Sequence, residues 1–405
     1  MIIMYKLIAT IKRNQKFSNE LVISKLQENG FTDIDTQRIS QKASNTVICW
    51  LFVPIENSQT TYLDILLEKN FSKEDITKMI TKGGASKLLP WLLSTQADGT
   101  TNFDALLSKH FSKDDIVAMV SHAGAFQVMS WLFTKQTDSS TPLDSLFLKQ
   151  FSKEDIVNMV SKKGSKQVLS WLFTKQNDSS TFLDALLAKK FSMPDIVRMV
   201  SNAGSNQVLP WLFTTQSNNT SYLDTLLEKQ FSKDDIVNMI SNIGAFQVMS
   251  WLFTSNLNGT TPFNNLISKN FSKDNIVTMV SNAGSKQALS WLFTTQSDGT
   301  TYFDALISKN FSTDNIVTML NNDGAFQVMS WLFTKQTDSS TFLDALLAKK
   351  LSNETIVYLL SKKGINTNLR QLGITKILKI INSNGIDNAI KIIYRSKKTF
   401  QKISP

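Results

Sequence analysis

A 40-residue repeat runs through most of this 405-residue chain and restricts what it can fold into. A Phe-Ser pair opens each clean unit, at Phe71, Phe111, Phe151, Phe191, Phe231, Phe271 and Phe311. Repeats of this length indicate stacked supersecondary units whose terminal copies differ from the internal ones. We therefore expect an N-terminal cap with a degenerate repeat over 1–70, seven repeats over 71–350, and a partial repeat with a basic C-terminal cap over 351–405.

Each unit contains helix signals and no strand pattern. In the unit 151–190, Ser152 is followed three residues later by Asp155, which is a helix-opening capping box, and Gly164 is a stop signal. A second helix is predicted from Lys166 to about Gln176. A polar turn and a second capping box at Thr181 then open a short third helix. The predicted fold class is all-α: a superhelical α-solenoid of 40-residue repeats with two to three helices each.

Large apolar residues recur once per unit at helical spacing, as Trp171 and Met159 do in the unit 151–190. We interpret them as core between repeats rather than as a base-stacking or ligand-binding groove. Cys49 lies in an apolar stretch and is expected to be core as well.

The composition excludes several classes of site. One cysteine and two histidines, His110 and His122, leave no ligand set for a metal centre, and no paired acid–base group or phosphate-binding glycine loop is present. No apolar run reaches the roughly 18–20 residues of a membrane span, and the N-terminus lacks a classical signal peptide. We expect a monomer that is not an enzyme, holds no cofactor or metal and does not enter a membrane.

Two adjacent positions vary from repeat to repeat inside a fixed frame, between the first helix and an invariant glycine. The first residues of these pairs are Lys82, His122, Lys162, Asn202, Asn242, Asn282 and Asn322. The second residues are Gly83, Ala123, Lys163, Ala203, Ile243, Ala283 and Asp323. Because the invariant positions build the stack, a variable pair at one tight turn indicates a position that reads a partner.

The surrounding frame resembles a known repeat. Phe-Ser-x-x-Asp-Ile-Val, a Ser-Asn/His-x-Gly turn and a following Gln-Val together resemble transcription activator-like effectors, in particular the divergent forms of bacterial endosymbionts and marine sources. The match covers about the first 20 residues of each clean unit.

The resemblance implies sequence-specific binding of double-stranded DNA, one repeat per base, with the variable turn in the major groove. The first residue of each pair would brace the loop and the second would face the base. Asn242-Ile243 resembles an adenine-preferring pair and Asn322-Asp323 a cytosine-preferring one. The residues placed near phosphate are Gly84, Gly124, Gly164, Gly204, Gly244, Gly284, Gly324, Gln127, Gln167, Gln207, Gln247, Gln287, Gln327, Lys166 and Lys286.

Charge is concentrated at the ends. Residues 361–405 carry a net charge of +9, residues 1–30 carry +3 and the remainder carries −2. Because phosphate neutralisation dominates non-specific DNA affinity, we expect the C-terminal segment to grip DNA of any sequence. The side chains assigned to this role are Lys376, Lys379, Lys391, Arg395, Lys397 and Lys398.

One alternative stays open, because helical solenoids commonly bind proteins. Nearly neutral repeats would suit a protein-binding scaffold or effector with little DNA readout. The expected location is the bacterial cytoplasm or, if the chain is exported, a host-cell nucleus.

Overall fold

The computed structural model describes residues 19–55, 59–82, 84–96, 98–162, 165–202, 204–242, 244–255, 259–282, 285–296, 298–321, 324–361, 376–377, 379–385, 388–389 and 391–393. These residues form helices and isolated β-bridges, with no strand among them. The chain divides into two compact units, 1–206 and 207–405, and inside each unit neighbouring repeats pack on one another. The predicted all-α class of stacked helical repeats is confirmed.

Every repeat contains three short helices, which we call the opening, middle and closing helix. The opening helices are Asp33–Lys42, Lys73–Ile80, Lys113–Val120, Lys153–Val160, Met193–Val200, Lys233–Ile240, Lys273–Val280, Thr313–Leu320 and Asn353–Ser361. The middle helices are Asn45–Phe52, Ala85–Leu92, Ala125–Leu132, Ser165–Leu172, Ser205–Leu212, Ala245–Leu252, Ser285–Leu292 and Ala325–Leu332. The closing helices are Tyr62–Glu68, Asn102–Ser108, Pro142–Leu148, Phe182–Ala188, Tyr222–Glu228, Pro262–Ser268, Tyr302–Ser308 and Phe342–Ala348, and a further helix, Asn19–Glu28, precedes the first repeat.

The opening and closing helices begin where the sequence predicts. Ser152 accepts a hydrogen bond from the backbone N–H of Asp155, whose carboxylate accepts one from the backbone N–H of Ser152 in return. Thr181 and Asp184 form the same reciprocal pair at the closing helix. Each pair satisfies two of the N–H groups that a helix start leaves without a partner.

The middle helix is shorter than predicted. It runs from Ser165 to Leu172, whereas the sequence predicted an end near Gln176. The backbone N–H of Thr174 donates to the carbonyl of Trp171 at 2.9 Å, which tightens the last turn and ends the helix. Lys175 then pairs with Thr181 across the polar turn in an isolated antiparallel β-bridge.

The core lies between matching helices of successive repeats. Within each unit, opening helices pack on opening helices and middle helices on middle helices. Ile156 and Met159 are fully buried there, as are their equivalents in the other repeats, and Cys49 is 6% exposed. The core assignments of methionine and Cys49 are confirmed.

The tryptophan prediction was only partly right. Trp50 and Trp331 are buried, but the other six are half-exposed at the edge of the stack. Trp131 contacts Phe173 of the next repeat edge to face, with ring centroids 5.4 Å apart. The tryptophans lie in the last turn of their middle helices, beside rings of their own or of the next repeat.

A ladder of ion pairs also ties successive repeats together. In five places the lysine after a closing helix pairs with the capping-box aspartate of the next repeat, in Lys69–Asp104, Lys109–Asp144, Lys149–Asp184, Lys269–Asp304 and Lys309–Asp344. Partial burial alone would raise the pKa of Asp344, but hydrogen bonds from Lys309 and Thr341 outweigh it and lower that pKa to about 2. Each such aspartate therefore both caps its own helix and holds the preceding repeat.

No described helix is long and apolar enough to cross a membrane.

Candidate nucleic-acid interface

The variable pair lies in a tight loop between the opening and middle helices. In the repeat 111–150 the opening helix ends at Val120, and Gly124 has φ +98° and is the N-cap of the middle helix. Residues other than glycine rarely adopt this backbone conformation. The invariant glycine is therefore required by the turn itself, whatever the loop binds.

The side chain of His122 contacts the backbone of this loop. Its Nδ1 lies 3.2 Å from the carbonyl oxygen of Ala123, and its Nε2 is buried without a hydrogen-bond partner among the described residues. Burial lowers the pKa of His122, because the charged imidazolium is poorly solvated there, and the Ala123 carbonyl offsets this only in part. The neutral ring can hold the loop while the Ala123 side chain remains exposed.

Asparagine braces the loop differently. The side-chain Nδ2 atoms of Asn202 and Asn242 donate to the carbonyls of Arg198 and Asn238, at 2.6 and 2.9 Å. These carbonyls belong to the last turn of the opening helix, where helical donors run out. Asparagine therefore caps the opening helix and fixes the direction in which the chain leaves it.

The two described lysines at the bracing position neither contact the loop carbonyl as histidine does nor cap the opening helix as asparagine does. The side chains of Lys82 and Lys162 are exposed, and neither Nζ atom makes a hydrogen bond or ion pair with a described residue. Only the backbone takes part, since the carbonyl of Lys162 accepts from Ser165. The bracing role predicted for these lysines is not seen, because their long side chains extend into solvent and leave both ammonium groups accessible.

Of the residues predicted to face bases, Ala123 is described, and it is exposed at the loop. The others lie outside the described residues: Gly83, Lys163, Ala203, Ile243, Ala283 and Asp323. So do Asn322 of the bracing set and Gly164 and Gly284 of the phosphate set.

The residues predicted to lie near phosphate are accessible. All six glutamines are exposed at the first turn of the middle helix: Gln127, Gln167, Gln207, Gln247, Gln287 and Gln327. Lys286 is exposed and Lys166 half-exposed on the same turn. The sequence analysis missed Lys87, which is exposed at the equivalent position in the repeat 71–110 and which alignment of the repeats places opposite Gln127.

The middle helices differ electrostatically from the other two helices. Gly84, Gly124, Gly244 and Gly324 cap them without a side-chain hydrogen bond, and none of the seven middle helices from Ala85 onward has an acidic residue in its first turn. Most opening and closing helices instead carry a capping-box carboxylate, and Asn264, Asn275 and Asn315 take its place in three of them. The positive ends of the middle-helix dipoles therefore stay uncompensated beside the variable loop, and such ends attract anions.

The C-terminal lysines lie on an amphipathic segment. Lys376, Lys379 and Lys391 are exposed, while Ile377, Ala389 and Ile393 are buried among the same short stretches. Arg395, Lys397 and Lys398 are outside the described residues. The three described ammonium groups are therefore free to meet a polyanion.

Among the described residues, no cluster of histidine, cysteine, aspartate or glutamate could hold a metal ion. No protein-family model matches the chain, and no curated protein matches it.

Proposed function

We propose that this chain is a relative of the transcription activator-like effectors that binds double-stranded DNA in a sequence-specific manner. Each repeat presents the second residue of its variable pair to one base in the major groove. The observation that carries the proposal is the loop at His122–Gly124, in which a fixed frame leaves one variable side chain, Ala123, exposed.

The electrostatics of the loop support a phosphate backbone as the ligand. The uncapped end of the middle helix and the exposed amide of Gln127 lie beside this loop, and Lys286 is exposed at the equivalent turn of its own repeat. Contacts of this kind hold a duplex in register without reading its sequence.

Base selection follows from the chemistry of the second residue. The carboxylate of Asp323 would accept a hydrogen bond from cytosine N4, and the aliphatic side chain of Ile243 would pack against a base edge. The small residues Gly83 and Ala123 leave room for a thymine methyl group. Each residue receives its role from its place in the repeat.

A protein-binding solenoid is the second candidate. The observation that favours it is the net charge of −2 over residues 31–360, which gives the array little general attraction for DNA. Six half-exposed tryptophans along the stack add the kind of surface that protein interfaces favour.

Selection from a randomised duplex library with the purified chain, at low and near-physiological salt, separates the two candidates. The DNA-reading proposal predicts a contiguous motif of about seven to nine positions, in register with the variable pairs, that survives the higher salt. Weak binding without a motif, lost as salt rises, would contradict it and would leave only the basic ends in contact with DNA.

A further inference from the structure

The half-exposed tryptophans are covered by a ring from their own repeat in several places. Trp171 stacks on Phe182, Trp211 on Tyr222 and Trp291 on Tyr302, with centroids 4.4, 4.3 and 4.1 Å apart. The interplanar angles are 16°, 14° and 16°. The fold therefore provides, beside each of these tryptophans, a slot that fits one planar ring.

In the repeat 71–110 the residue at the ring position is Asn102. It is 1% exposed, and its Nδ2 donates to the carbonyl of Trp91 at 2.8 Å while its Oδ1 accepts from Gln96 Nε2 at 2.5 Å. An amide that is hydrogen-bonded in this way offers no aromatic face for Trp91 to stack on. Trp91 therefore has no stacked ring from position 102, a situation it shares with the repeats that carry Pro142 and Pro262 there, and the ring it contacts is Phe133 of the next repeat, edge to face with centroids 5.4 Å apart.

A cavity of about 620 Å³ opens at this point, and we call it the Trp91 pocket. Its walls include Tyr62, Pro90, Trp91, Asn102 and Phe126, with Lys87 at its edge. Its volume falls within the roughly 300–1,000 Å³ of small-molecule sites, which combine apolar walls with a few polar groups in the same way. Three successive repeats contribute to it, and all of them belong to the unit 1–206.

The helix at the pocket also offers a hydrogen-bond acceptor. Proline at position 90 has no backbone N–H, so the carbonyl of Ser86, four residues earlier, loses its helical donor. Ser86 also lines the pocket. A ligand ring with an N–H group would find an acceptor there.

The charges around the pocket select for one negative charge. Lys69 is held by Asp104 at 2.6 Å, so its charge is compensated. Lys87 is exposed and makes no ion pair with a described residue, whereas Glu68, also on the lining, would repel a dianion. One ammonium without an ion pair can hold a single carboxylate, and Glu68 on the same lining disfavours a phosphate, which carries −1.5 to −2 at neutral pH.

We propose that the Trp91 pocket binds a planar aromatic monocarboxylate. The ring of the ligand stacks on Trp91 in the slot that Phe182 or Tyr222 fills in other repeats, and its carboxylate pairs with Lys87. This site goes beyond the DNA-binding proposal and needs no DNA to be occupied.

The test uses indole-3-acetate as the probe and neutral indole as its uncharged counterpart, titrated into the full chain by calorimetry or by NMR of the tryptophan N–H signals. The wild-type chain is expected to bind indole-3-acetate saturably at millimolar concentration or below. Asn102→Tyr installs the ring that the chain itself uses at Tyr222, and is expected to weaken binding at least about tenfold. A melting curve establishes that this variant is folded.

Lys87→Gln provides the second variant, since glutamine is the residue at the equivalent position of six repeats. This substitution is expected to weaken the binding of indole-3-acetate severalfold and to leave the binding of indole unchanged. Lys135→Gln, at an exposed turn outside the pocket, is the matched control and should alter neither ligand. No saturable binding by the wild-type chain, or an Asn102→Tyr variant that binds as tightly as the wild type, would overturn the proposal.

Discussion

At the first position of the variable pair, three residue types meet the same local requirement in three ways. Asparagine caps the opening helix through its side-chain amide, histidine contacts the Ala123 carbonyl with a half-buried ring, and lysine leaves the task to the backbone. The loop therefore keeps one frame although its residues differ, because the left-handed glycine and the helix ends define it. In our proposal, variation at the neighbouring position can then change recognition without changing the fold.

The half-buried ring of His122 makes one repeat sensitive to pH. Its pKa is lowered from 6.5 by burial, so below that pH the unfolded chain takes up a proton more readily than the folded chain does. Stability contributed by neutral His122 is therefore complete above pH 6.5 and declines as the pH falls below it. We expect His122→Asn, the residue of other repeats, to reduce the loss of melting temperature between pH 7.5 and pH 5.5.

His110→Asn is the control for removing a histidine as such. His110 is exposed, has φ +65°, and corresponds to Asn70 and Asn310 in other repeats. This variant should keep the pH dependence of the wild type. Equal effects of the two substitutions would show that burial of His122 is not the cause.

At the scale of elements, the ion-pair ladder couples each closing helix to the next repeat. One rung is missing, because Asn264 stands where the other repeats have the capping-box aspartate, opposite Lys229. Lys229 therefore serves as a reference when the contribution of one ion pair to stability is measured.

We expect Lys309→Met to lower stability by up to about 1 kcal/mol at pH 7, the range of partly exposed ion pairs. The low pKa of Asp344, about 2, means that this contribution is present above its ordinary value of 3.8 and is lost as the pH falls toward 2. Urea unfolding at pH 7 and pH 2.5 measures both effects. Lys229→Met is the matched control, and an equal loss in that variant at pH 7 would rule out the ion pair as the cause.

Much of the helical repeat could be predicted from sequence, because its signals are local. Capping boxes such as Ser152–Asp155 mark helix starts within four residues, and the structure confirms them. The end of the middle helix was misplaced, because Phe173 continues the apolar pattern after the helix has ended at Leu172.

The candidate site was predictable only in part. Its position followed from variation between repeats, but the Lys309–Asp344 rung and the Trp91 pocket join residues of different repeats, and single-repeat periodicity does not show such contacts. The recurrence of lysine two residues before every Phe-Ser pair was a signal for the ladder. Asn102, at a position that is aromatic in five other repeats and proline in two, was the corresponding signal for the pocket.

At the scale of the whole molecule, charge is separated along the sequence. The array is nearly neutral and the C-terminal segment strongly basic, so in our proposal general attraction and base reading belong to different parts of the chain. This division would let the array discriminate between sequences without strong non-specific binding by every repeat.

Replacing Lys376, Lys379 and Lys391 together by alanine should weaken binding to all duplexes alike. Each lysine that contacts phosphate adds about 0.9 to the slope of log K against log salt, so the slope should become shallower by up to about 3. Fluorescence anisotropy over a salt series measures it. The matched control replaces three exposed lysines of the polar turns, Lys135, Lys175 and Lys335, and an equal change there would show that only net charge matters.

The central claim is that one repeat reads one base through the second residue of its pair. Ala123 is the described residue at that position, so the most direct test is parallel duplex selection with the wild-type chain and with Ala123→Asp. We predict two motifs that agree except at the position of the repeat 111–150, where the variant gains a cytosine preference of about 1–3 kcal/mol. Identical motifs, changes scattered over many positions, or no motif in either selection would contradict the account.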